Sequence, residues 1–323
     1  MRTALIGLLS AATLLCSGTA MGQTTLRAWN IHPEGYPVTE AFKSFVNEIA
    51  TTTAGKYRID LSNNGALGDQ PKALQMFKDG GIDLAEFNAG PLSDAAPGLK
   101  AFNLPFLFTD SAHMFRHLDG ELGNRLSLKL QEAGFVVLGW YDGGARSFYC
   151  ANKPIARIQD FAGQTIRVQQ SEIYIELVKL LGATPVVVPY KEVLDQLGQK
   201  KIDCAEGNMV SYESTGHYKV AKYMYLDSHV ISPEALVVST RLWNKLSETE
   251  KTAFKQAGKN SALLMRKLWN QRVAAARDIV TKNGTQFAPV LDAAPLVQRM
   301  RPLYGKYMAD PAVRGELLSI VGQ

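Results

Sequence analysis

The stretch 144–208 reads GARSFYCANKP (144–154), then GQTIRV (163–168), then GATPVVVPYKEVLDQLGQKKIDCAEGN (182–208). Short apolar runs bounded by Gly and Pro alternate here with segments of helical spacing, the pattern of an α/β unit. The spacing predicts strands over 147–150, 165–168, 184–188 and 202–205, with helices over 173–181 and 190–199. Arg146, Arg167, Tyr190, Glu206 and Asn208 fall at the ends of these runs. Two guanidiniums where strands stop make natural forks for a carboxylate, because Arg carries five fixed donors and keeps its charge when partly buried. The stretch therefore points to capture of an organic anion.

Upstream the alternation repeats. Strands are expected at 26–29, 57–61, 82–87 and 135–140, and helices at 41–49, 71–78 and 111–133. Residues 102–108, with Pro105 inside, read as a loop edge. Such alternation is typical of parallel α/β layers. Downstream, 235–239 makes another strand. Residues 249–282 read as a long helix interrupted only at Gly258, about 50 Å at about 1.5 Å per residue. Short helices fill 292–322. Two α/β units in series imply two lobes: 24–144 with about 233–255 in the first, 145–232 with about 270–320 in the second, and the long helix reaching across both.

The sequence also predicts export. The apolar run 4–16 after Arg2, followed by Ala20 and Gly22, reads as a leader over 1–22 cleaved before Gln23. It is too short to span a bilayer. A lipid anchor at Cys16 is the competing reading, but Thr13, Leu14 and Leu15 lack the small residue expected beside such a cysteine. Without Cys16, Cys150 and Cys204 remain. In an oxidising compartment they can form one disulfide, or stand apart as two small core residues. The formal charge is +5, or +4 without Arg2, and is scattered along the chain, which argues against nucleic acid as a partner.

Arg167 stands between Ile166 and Val168, where an unpaired charge is costly, so it needs a carboxylate from the protein or from a ligand. Arg146 alone also fits an ordinary surface arginine. Glu86 and Glu206, at strand ends, suit either sugar hydroxyls or an internal ion pair with an arginine. Trp29, Asn30, His32, Tyr36, Asn88, Gln169, Tyr190, Asn208 and Tyr212 complete the candidate pocket, through ring faces that pack on a sugar and amides that donate and accept. His113 and His117 form an i,i+4 pair on a helix read as solvent-facing. No nucleophile elbow, phosphate loop or metal-spaced cluster is present, so neither cofactor nor metal is expected, and binding is favoured over catalysis.

LRAWN (26–30), LGDQPKALQMFKDGGIDLAEFN (67–88), FNLPFLF (102–108), RSFYCANKPI (146–155), DFAGQTIRV (160–168) and the segment 181–208 together resemble the extracytoplasmic solute receptors of TRAP transporters. The likeness runs from about 24 to about 315. It implies an α/β, two-lobed periplasmic-binding-protein fold with a long helix spanning both lobes, and a cleft that closes on an organic acid. It also implies a periplasmic receptor that delivers its acid to TRAP membrane subunits without covalent chemistry; a monomer is expected. In the family, an arginine placed like Arg167 holds the carboxylate and one placed like Arg146 assists, while residues at Tyr190 and Asn208 line the pocket. This chain departs from the pattern with Cys204 in place of a glycine and Gly207 between Glu206 and Asn208. The surplus of polar partners favours a hexuronate, glucuronate or galacturonate, over a C4-dicarboxylate, keto acid or aromatic acid. A periplasmic sensor and a sugar-acid enzyme are the readings from other classes.

Overall fold

A computed structural model describes residues 22–322. The expected leader, save Gly22, and Cys16 within it lie outside these residues. Nine strands form one continuous sheet: β1 Thr24–Trp29, β2 Tyr57–Ser62, β3 Leu84–Asn88, β4 Phe135–Cys150, β5 Thr165–Val168, β6 Thr184–Val187, β7 Cys204–Asn208, β8 Tyr223–Ser239 and β9 Gln286–Pro289. The order is β2-β1-β3-β8-β4-β7-β5-β6, with β9 on β8.

The expected parallel layers are present at the two ends, where β2-β1-β3 and β7-β5-β6 run parallel, and β9 adds a short parallel pairing to β8. Between the two ends β4 and β8 pair antiparallel along their length and belong to both lobes. By sequence pattern alone β4 splits in two and only the last third of β8 stands out as a strand. Both misreadings have one physical cause. The β4–β8 ladder slips between Asp142 and Ala145 and again between Arg146 and Phe148, so Gly143, Gly144 and Pro233 look like strand ends although the chain continues through them. Gly144 is required there: its φ is +74° and a Cβ would lie 2.4 Å from the Trp269 ring.

The long helix spans Glu248–Lys282 and starts with a capping box formed by Ser247 and Glu250. Phe254, Met265 and Trp269 bury into the first-lobe core, and Ala276 and Val280 into the second. Gly258 does not interrupt it, contrary to the sequence expectation. A Cβ at that position would sit 2.5 Å from Leu138 O, so the glycine lets helix and sheet approach closely.

The helix expected over 111–133 is two, Ser111–Leu118 and Glu121–Glu132, hinged at Asp119-Gly120. Their faces differ from the sequence reading too. His117 is buried against Phe108, and burial, then the neighbouring His113, lowers its pKa. Helices Arg301–Ala309 and Pro311–Val321 close the chain, with Tyr304 Oη donating to Pro105 O.

Candidate functional site

The parallel strands of both lobes end at a common cavity of about 220 Å³, the position where open α/β sheets place ligands. Its second-lobe wall is cationic. Arg167 projects from β5 between the buried Ile166 and Val168. Among the described residues its one side-chain hydrogen bond is from Nε to Val188 O, 2.9 Å, so its terminal amino groups remain for the cavity that it lines. Burial lowers the Arg167 pKa, with Glu206 working against that shift.

Arg146, across β4 and β7 from Asn208, is already engaged. Its Nε donates to Glu206 Oε2 at 2.5 Å, and its guanidinium lies 5.4 Å from the Tyr174 ring centroid. Behind Glu206, His229 Nε2 stands 3.7 Å from the same oxygen and Nδ1 3.0 Å from Asp227 Oδ2. Burial alone would neutralise these groups. Instead Arg146 and His229 outweigh it and hold the Glu206 carboxyl well below its usual range. Asp227 and Glu206 outweigh it at His229, whose pKa is pushed up to about 9.

Gln169 and Tyr190 complete this wall; the Tyr190 ring meets His32 edge-on, centroids 6.3 Å apart. Tyr149 also lines the cavity and its hydroxyl meets His217 Nδ1 at 2.8 Å. Burial, with Arg167 nearby, pushes His217 down to about 3. Asn208 lines the cavity but spends its side chain on structure: Oδ1 accepts from Ser211 N, capping the next helix, and Nδ2 donates to Gly143 O. Cys150 and Cys204 are directly paired across β4 and β7 and form a disulfide, which ties the strand of Arg146 to that of Glu206.

The first-lobe wall is acidic and amide-rich. His32, Asn88 and Glu234 line it. His32 Nε2 is 3.2 Å from both Glu234 oxygens, and Asn88 Nδ2 donates to Glu234 Oε1. Tyr36 stacks on His32 at 4.0 Å and reaches across the cleft to Ser211 Oγ, 3.1 Å.

Five candidates from the sequence do not line the cavity, Tyr36 among them, which stacks on His32. Trp29 is core, its indole donating to Gly68 O and its ring packed on Phe87. Asn30 holds its own loop, donating to Thr39 Oγ1 and accepting from His32 N. Tyr212 is core beside Tyr149, its hydroxyl donating to Ala221 O. Glu86 lies one layer behind Glu234, fully buried.

Glu234 was missed. It precedes the apolar stretch 235–238 of β8 much as Glu86 follows Leu84-Ala85 in β3, and Pro233 beside it obscures that signal.

Residues 30–310 match the family described as Bacterial extracellular solute-binding protein, family 7 (DctP). This chain belongs to it, as an extracytoplasmic receptor of the TRAP transporter type. A TRAP periplasmic solute-binding protein from Roseobacter denitrificans, solved with β-D-glucuronate, is 39% identical with a TM-score of 0.90, over 92% of this chain and 99% of that one. One from Sulfitobacter sp. NAS-14.1, solved with β-D-galacturonate, is 35% identical with a TM-score of 0.90, over 93% and 100%. A solute-binding protein of Chromohalobacter salexigens is 35% identical over 95% of this chain and 90% of its own length. The receptor is periplasmic and non-catalytic, and serves a TRAP transporter by binding a small organic acid.

Proposed function

We propose that this receptor, acting as a monomer, captures a hexuronate, D-glucuronate or D-galacturonate. The observation that carries this reading is the asymmetry of the cavity. One uncommitted guanidinium, Arg167, faces a wall of hydroxyl acceptors and amides, Glu234, Asn88 and His32. A bidentate clamp on Arg167 takes the single carboxylate, and the ring hydroxyls turn to the opposite wall. The ring itself packs beside Tyr190. A C4-dicarboxylate fits poorly, since its second carboxylate would meet Glu234, while the charge of Arg146 is already balanced by Glu206. The uronates bound by the Roseobacter and Sulfitobacter relatives support the same ligand class.

Because such a ligand touches both lobes, its differential affinity for the closed form draws the lobes together. The decisive test is calorimetric titration of the mature, ligand-stripped protein with glucuronate, galacturonate, succinate, pyruvate and benzoate, with light scattering for the monomer. Binding of the two uronates at least about 100-fold tighter than succinate, about 2.7 kcal/mol, is expected. Succinate binding as tightly as the uronates would end the proposal.

A further inference from the structure

Behind the first-lobe wall lies a group of polar atoms that the uronate reading leaves unexplained. Ligating atoms of His32, Glu86 and Glu234 all lie within 4.8 Å of one another. All three residues are buried. The backbone N–H of Ile31 approaches the Glu86 carboxyl, yet neither Glu86 oxygen has a hydrogen bond of good geometry, nor does His32 Nδ1. Two ionised carboxylates this close in a dry setting repel strongly, so something positive must sit between them: a metal cation or a proton.

The imidazole decides between these. Metal ligation through His32 Nε2 would force the ring proton onto Nδ1, where it would be a buried donor with no acceptor. Ligating histidines almost always have such an acceptor. With the proton on Nε2 instead, the ring donates to Glu234 at 3.2 Å, and Nδ1 is left only as an idle acceptor.

We infer that Glu86 is a neutral carboxylic acid that donates its proton to Glu234, and that Glu234, so held, is the acceptor that recognises one hydroxyl of the ligand. This rests on the hydroxy-acid reading of the cavity. The accounting is simple. An ionised carboxylate offers about four lone-pair sites. His32 Nε2–H and Asn88 Nδ2–H occupy two, the Glu86 O–H would take a third, and one remains on the residue that lines the cavity. Burial, then the adjacent Glu234, holds the Glu86 pKa well above the carboxylate range, in agreement with a retained proton. Glu86 is therefore a positioning residue, while Glu234 touches the ligand. Without the Glu86 proton, Glu234 would have two vacant sites and a repelling neighbour, and its orientation would no longer be fixed.

Two measurements on the full mature protein test this. Infrared difference spectra of wild type minus Glu86→Gln, without ligand at pH 7, should contain the carbonyl band of a protonated carboxyl group. Its absence overturns the inference. Calorimetry with D-glucuronate should give a loss of at least about tenfold for Glu86→Ala and recovery to within about threefold of wild type for Glu86→Gln, whose amide N–H replaces the O–H. Equal losses for both, together with a wild-type affinity abolished by chelator and restored by calcium, would assign the site to a cation instead. A band present in a protein that ignores glucuronate would uphold the carboxylic acid and sink only the uronate reading.

Discussion

On the second-lobe wall Arg146, Glu206, His229 and Asp227 form a chain of alternating charged partners, whereas on the first-lobe wall two carboxyls crowd a single imidazole. The two regions bury similar numbers of ionisable groups beside the same cavity. One satisfies them by pairing unlike charges, and the other, as inferred above, by retaining a proton. The difference teaches where specificity resides. Pairing consumes Arg146 and, among the described residues that line the cavity, leaves Arg167 as the free cation for a single acid group. Protonation leaves one free acceptor for a hydroxyl. On the proposed reading, the two walls meet the two ends of a hydroxylated monocarboxylate.

The comparison is most severely tested at Glu206. Glu206→Gln leaves Arg146 and His229 buried without their shared counter-ion, and should cost about 3–5 kcal/mol of folding stability in urea melts. A loss below about 1 kcal/mol would mean that the chain of pairs is not what stabilises this wall. Arg167→Ala should behave in the opposite sense. It removes a desolvated charge with no carboxylate partner, so stability should hold, while affinity for every organic acid falls by about 2–5 kcal/mol in calorimetry. If the fold weakened and affinity survived, the roles of the two arginines would be exchanged.

Reduction of Cys150–Cys204, or replacement of both by Ser, opens a link between positions 54 apart and should lower stability by about 2–4 kcal/mol. The smallest effect expected is pH-dependent. The folded-state pKa of His229, about 9, lies above its ordinary 6.5. Its contribution, at most about 3 kcal/mol, is therefore fully present below about 6.5 and is lost as pH rises through 9. Thermal midpoints of wild type should fall across that window relative to His229→Gln.

Much of this was legible in the chain. Alternating apolar runs gave the parallel strands at both ends of the sheet, because short runs bounded by Gly and Pro have one natural reading. Arg167 was legible because a charge amid Ile166 and Val168 demands a partner. The long central strands were not, since Gly143, Gly144 and Pro233 are turn formers everywhere except at a slip in the ladder. Nor was the separation of Glu86 from Glu234, which depends on how β3 registers with β8, a long-range pairing that no local pattern encodes. Tyr212 and Trp29 misled for the converse reason. An aromatic near a strand end fits core and cavity equally well, and only packing chooses.

The routing of the backbone has a consequence for how such receptors diversify. The chain passes between the lobes along β4, along β8 and along the long helix, so neither lobe is a contiguous cassette. No single recombination event can graft one lobe onto another receptor and keep both intact. A change of cargo that keeps this architecture is therefore most directly made by substituting side chains on the cavity walls, one position at a time.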